Sequence, residues 1–73
     1  MMKKNIVIKN FKSREEAENV KTVFEGIKGV VSVSIDYPAR VVTLKTTEDF
    51  SDPKIRALFK ENKFEFEIEK IEG

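Results

Sequence analysis

Hydrophobic positions along this chain fall into six short groups, and their spacing switches between a period of two and a period of three to four. Residues 5–9 hold Ile6, Val7 and Ile8, a β-branched run bounded by Asn10, and predict a first strand. Ala17, Val20, Val23, Phe24 and Ile27 then recur at threes and fours on a charged background, which predicts an amphipathic helix stopped by Gly29. Val31, Val33, Ile35 and Tyr37 alternate with Ser32, Ser34 and Asp36, the pattern of a strand with one buried face. Tyr37-Pro38-Ala39-Arg40 reads as a turn. Beyond it Val42 and Leu44, opposed by Val41 and Thr43, predict a third strand paired antiparallel with the second. Asp52-Pro53 marks a second helix start, with Asp52 placed to accept from free N–H groups and Pro53 tolerated in the first turn. The stripe of that helix is Ile55, Leu58 and Phe59, and it should end near Asn62. Phe64, Phe66 and Ile68 alternate with Glu65, Glu67 and Glu69, predicting a fourth strand.

The order strand, helix, strand, strand, helix, strand, with no linker or repeat, predicts one domain over residues 1–73. Its expected class is α+β: a ferredoxin-like βαββαβ sandwich with two helices on one face of a four-stranded antiparallel sheet. The core should join the helix stripes to Ile6, Ile8, Val31, Val33, Ile35, Val42, Leu44, Phe64, Phe66 and Ile68. The other sheet face should carry Val7, Ser32, Ser34, Val41, Thr43, Lys45 and the three glutamates. That face is mostly polar.

Composition narrows the chemistry. Apolar residues at 40% and charged residues at 37% suit neither a disordered segment nor one embedded in lipid. Fourteen basic against thirteen acidic residues leave a formal charge of +1, so no global field draws nucleic acid or anionic lipid. The chain has no cysteine and no histidine. Disulfides, thiolate nucleophiles and thiolate metal sites are therefore excluded, together with the usual general base near neutral pH. Lys3-Lys4 precedes an apolar run of only three residues, too short for a signal peptide or membrane span, so a cytoplasmic location is expected. No serine lies in a nucleophile-elbow context, so neither catalysis nor a cofactor is expected.

Two resemblances of strand order carry little. Residues 6–11 superficially fit the first-strand motif of RNA-recognition domains, but Val7 stands where a base-stacking aromatic is needed, and residues 40–46 hold no aromatic and no glycine. Nucleic acid is not an expected partner. Asn10 with Arg14 is a distant echo of the phosphate loop of acylphosphatase-like enzymes, without the glycines that let N–H groups converge on an anion.

A third resemblance covers essentially the whole chain. Phe11, Ser13 and Glu16 occupy the three positions of an M-x-C-x-x-C pattern, Val20 and Phe24 follow four and eight residues after the last of them, and Gly29-Val30 comes next. The strand-turn-strand run of residues 31–44 then fits without a gap, and Ile55, Phe59 and Phe64 supply a second helix and the aromatic behind it. In this the chain resembles the heavy-metal-associated domains of copper chaperones, mercury-binding proteins and metal-pumping ATPases, with Ser13 and Glu16 in place of the two metal-binding cysteines. The resemblance implies that Phe11, Ser13, Glu16, Lys63 and Phe64 mark the former metal-loop region, Lys63 replacing a customary glycine. A soft metal site needs sulfur, so trafficking by thiolate exchange is not expected.

Each candidate site has a structural and a functional reading. Ser13-Arg14-Glu15-Glu16 is a capping box, serine followed three residues later by glutamate just ahead of an apolar stripe. The functional alternative is a weak hard-cation site from the Ser13 hydroxyl, Glu15 and Glu16. Lys63 either pairs with Glu16, standing in electrostatically for a metal, or is a solvated turn residue. Glu65, Glu67 and Glu69 are either a solvated row balanced by Lys9 and Lys45 or an acidic docking strip for a protein partner. The expected function is a non-catalytic binding module acting in protein contact or self-association. The alternatives are a metal-transport accessory, holding a hard cation at the first loop or sharing a site with a partner that supplies sulfur, and a small-molecule sensor dimer like those of amino-acid-binding regulatory domains.

Overall fold

Six elements form in the predicted order. The computed structural model describes residues 2–64 and 67–73. They comprise β1 (Met2–Ile8), α1 (Arg14–Glu25), β2 (Val30–Asp36), β3 (Val41–Thr46), α2 (Asp52–Glu61) and β4 (Ile68–Glu72). The strands make one antiparallel sheet in the order β2-β3-β1-β4, a ferredoxin-like α+β fold. Ile6, Ile8, Val33, Val42 and Leu44 from the sheet meet Ala17, Val20, Phe24, Ile55 and Phe59 from the helices in a single buried cluster. The rings of Phe24, Phe59 and Phe64 pack edge to face in succession, with centroids 5.4 and 5.3 Å apart, and so link α1, α2 and the turn after α2.

Several boundaries differ from the expectation, each for a physical reason. β1 begins at Met2 rather than Asn5, because Lys3, Lys4 and Asn5 pair with Lys45, Leu44 and Thr43 whatever their polarity. Lys4 also reaches Asp52 at 3.3 Å. α1 ends at Glu25, before Ile27 and Gly29. Gly26 N–H donates to Val23 O and Ile27 N–H to Phe24 O, tightening the last turn, while Gly29 at φ +95° redirects the chain into β2. At the start of α2 the cap is Ser51, whose hydroxyl accepts from Lys54 N–H at 3.3 Å; Asp52 is the first helical residue and points to Lys4 instead.

Two β-bulges account for the largest departures. Val30 is opposite Thr46 and Ser32 opposite Lys45, so Val31 is the extra residue of β2. It is 49% exposed instead of joining the core as the alternation predicted. In β4, Ile68 is opposite Ile8 and Lys70 opposite Val7, which makes Glu69 the extra residue and sets the inward positions, Ile68 and Ile71, three apart. The strand expected from Phe64 begins only at Ile68. Phe64 itself lies outside any strand, half-buried against the core, and Phe66 and Glu65 lie outside the described residues.

Phe50 and Thr46 are fully buried although the hydrophobic pattern pointed to neither. Phe50 tucks its ring beside Gly29 and beneath Lys54, whose Nζ lies 4.1 Å from the ring centroid. Thr46 satisfies its hydroxyl by donating to the Glu48 carbonyl. The uncovered sheet face carries Val7, Val41 and Thr43 as expected, with the Thr43 hydroxyl donating to Asn5 Oδ1 at 2.8 Å.

Candidate functional site

The loop between β1 and α1 holds the residues singled out from sequence. Ser13 is the N-cap of α1, in extended conformation, and its hydroxyl accepts from Glu16 N–H at 3.3 Å. Glu16 is the third helical residue, and its carboxylate turns back over the helix start. In the ordinary capping box it would accept from the cap residue's own N–H. Here it accepts from Lys12 N–H, one residue earlier, at 2.6 Å. The short distance befits a charge-assisted bond. Glu15, beside it in the first turn, is exposed and adds negative charge where the helix dipole is positive.

The rest of the loop is tied down by neighbouring segments. Lys9 N–H donates to Glu67 O at 2.8 Å, Glu67 N–H donates to Asn10 Oδ1 at 2.8 Å, and the Arg40 guanidinium donates to Lys9 O at 3.2 Å. Arg40 occupies the left-handed region at φ 60°, at the end of the Tyr37-to-Arg40 turn, and its carbonyl accepts from Ile8 N–H. Phe11 is buried against Tyr37 with ring centroids 6.4 Å apart, and the Arg14 guanidinium lies 5.7 Å from the Tyr37 ring centroid. The sequence held a signal for this contact only in Tyr37, the last residue of an inward alternation.

Lys63 forms no ion pair with Glu16. It follows the α2 cap residue Asn62 at φ 56°, with Lys63 N–H donating to Lys60 O and Phe64 N–H to Phe59 O. This is the two-bond helix stop that glycine usually serves, which gives the Lys63 backbone a structural task. Among the described residues the ion pairs are Lys4–Asp52, Lys9–Glu67, Lys54–Glu48 and Lys70–Glu72, and neither Lys63 nor Glu16 belongs to one.

Glu67 and Glu69 do not stand in one strand row, and Glu65 lies outside the described residues. Glu67 precedes β4 with its backbone bound to the first loop and its carboxylate 3.9 Å from Lys9 Nζ, while Glu69 sits in the bulge. Lys45 is two strands from β4 and lies opposite Lys3. A groove of about 470 Å³ runs between α2 and the start of β4, with Phe59, Phe64 and Ile68 as its apolar part and Arg56, Lys60 and Glu67 around them.

Among the described residues no group of three or more carboxylates converges as a metal site, and no buried side-chain nitrogen or oxygen lacks a hydrogen-bond partner. No described helix is long and apolar enough to cross a membrane. No protein-family model, curated protein or solved structure matches the chain.

Proposed function

We propose that this chain is a non-catalytic binding module, a heavy-metal-associated-like domain whose metal loop has become a helix cap and which acts through protein contact. The observation that carries the proposal is the engagement of both candidate oxygen ligands. Ser13 Oγ and Glu16 Oε1 each accept from a backbone N–H of the same helix start. A cation would have to compete with those donors, and the second carboxylate of the turn, on Glu15, is solvated. With neither cysteine nor histidine in the chain, a soft ion has no thiolate or imidazole to bind. What remains for function is surface: two sheet edges, an uncovered sheet face and the groove beside α2.

Titration of the isotopically labelled protein with Cu(I), Zn²⁺ and Ca²⁺, followed by NMR, tests the proposal. The amides of residues 11–17 are expected to stay in place through equimolar additions. Saturable shifts confined to that loop would overturn the reading and return the domain to metal handling.

A further inference from the structure

The outer strands of the sheet are β2 and β4, and the flanking hydrogen bonds fix which way the backbone of β4 faces. Ile8 N–H donates to Arg40 O on the β3 side, and Lys9 N–H donates to Glu67 O on the β4 side. Hydrogen-bonding direction alternates along an antiparallel strand, so Ile6 faces β3 while Asn5 and Val7 face β4. Their register partners, Glu72 and Lys70, face back towards β1. Ile71, between them, therefore turns its N–H and C=O away from the sheet, where they form a template for a further strand.

The side chains of the same segment say which strand fits. Lys70 and Glu72 stand opposite the uncharged Val7 and Asn5, 3.8 Å from each other and both more than half exposed. Ile71 is half-buried opposite Ile6. About Ile71 the segment reads Lys-Ile-Glu, so two antiparallel copies centred there place Lys70 of each copy opposite Glu72 of the other, twice over. The two Ile71 residues face each other as the pair that exchanges both backbone bonds.

We propose that β4 is a self-association edge whose occupant is the β4 of a second copy of this chain. The resulting sheet has eight strands in the order β2-β3-β1-β4-β4-β1-β3-β2, with all four helices on one face and a two-fold axis through the Ile71 pair. The proposal rests on the binding-module reading and names its partner. The β2 edge offers no matching charge pair: its only ionised group is Asp36 at the strand end, and the Val31 bulge interrupts it.

Sedimentation equilibrium of the full chain from about 10 µM to about 1 mM, a range suited to a short edge contact, tests this, with circular dichroism reporting the fold. The mass is expected to rise from 8.4 kDa towards twice that value. Lys70→Glu and Glu72→Lys should each weaken association about tenfold or more, by placing like charges opposite each other twice, and the double variant Lys70→Glu/Glu72→Lys should restore it. If either single variant loses its native dichroism, Lys70→Ala/Glu72→Ala replaces it and should also weaken association. A native-like monomer throughout the range overturns the proposal. So does a dimer that ignores the β4 substitutions, or one dissolved by Val31→Lys on β2 alone. Absence of a dimer together with unmoved loop amides in the metal titration would remove this inference while leaving the binding-module reading in place; loop shifts in a protein that still dimerises would do the reverse.

Discussion

Phe50 sits between Asp49 and Ser51 in the connection from β3 to α2, yet its side chain is fully buried. Its ring fits because Gly29 has no side chain: a Cβ there would lie 3.2 Å from Phe50 Cε1. Replacing a buried phenylalanine with alanine costs about 3–5 kcal/mol, the sum of lost transfer energy and the cavity left behind. At roughly 0.05–0.15 kcal/mol per residue, a chain of this length has about 4–11 kcal/mol in total. Phe50→Ala should therefore remove about a quarter or more of the stability, lowering the urea midpoint by about 2 M or more at a slope of about 1–1.5 kcal/mol/M that stays unchanged. Phe50→Leu retains most of the apolar contact and should cost about 1 kcal/mol. Gly29→Ala approaches the same contact from the other side, and the strained φ adds about 1 kcal/mol or more to the clash. The assay is urea unfolding followed by far-ultraviolet circular dichroism. A loss below about 1 kcal/mol for Phe50→Ala would refute the anchoring of this connection to the core.

Two further predictions concern residues that the fold holds at some cost. Lys63→Gly should stabilise the domain by about 0.5–1 kcal/mol, since relief of the left-handed conformation outweighs the added freedom of the unfolded chain; a lower melting temperature would contradict the helix-stop role. Lys45→Glu should stabilise by about 0.5 kcal/mol at low salt and less at high salt, because it turns the like-charged pair with Lys3 into an opposite one; a salt-independent change would show that the two residues do not interact.

The parts of the fold legible in sequence are those where one period runs unbroken. Ala17, Val20 and Phe24 mark the buried face of α1, and Val42 and Leu44 mark that of β3. Alternation fails where a bulge inserts a residue, since nothing in Val30-Val31-Ser32 or Ile68-Glu69-Lys70 announces that two residues will oppose one. Phe50 was invisible because a lone aromatic in a polar loop has no period, and its place is made by Gly29, distant in sequence. Asp52 reads as the cap because Asp-Pro is a strong local signal of a helix start; the chain gives the cap to Ser51 and uses Asp52 for Lys4. At the candidate site Ser13 and Glu16 were legible as a capping box. The choice of Lys12 N–H as the acceptor's partner depends on how the loop leaves β1, and so does the burial of Phe11 on Tyr37.

Urea unfolding of Ser13→Ala, Glu16→Ala and the double variant, each measured with chelator and again with excess calcium, tests most directly whether these oxygens hold a helix or await a cation. The cap account predicts losses of about 1 kcal/mol for Ser13→Ala and about 1–2 kcal/mol for Glu16→Ala, whose bond is short and charged, with the same values in both media. Variants that match the parent in chelator, together with a parent stabilised by calcium that no longer stabilises the variants, would contradict it.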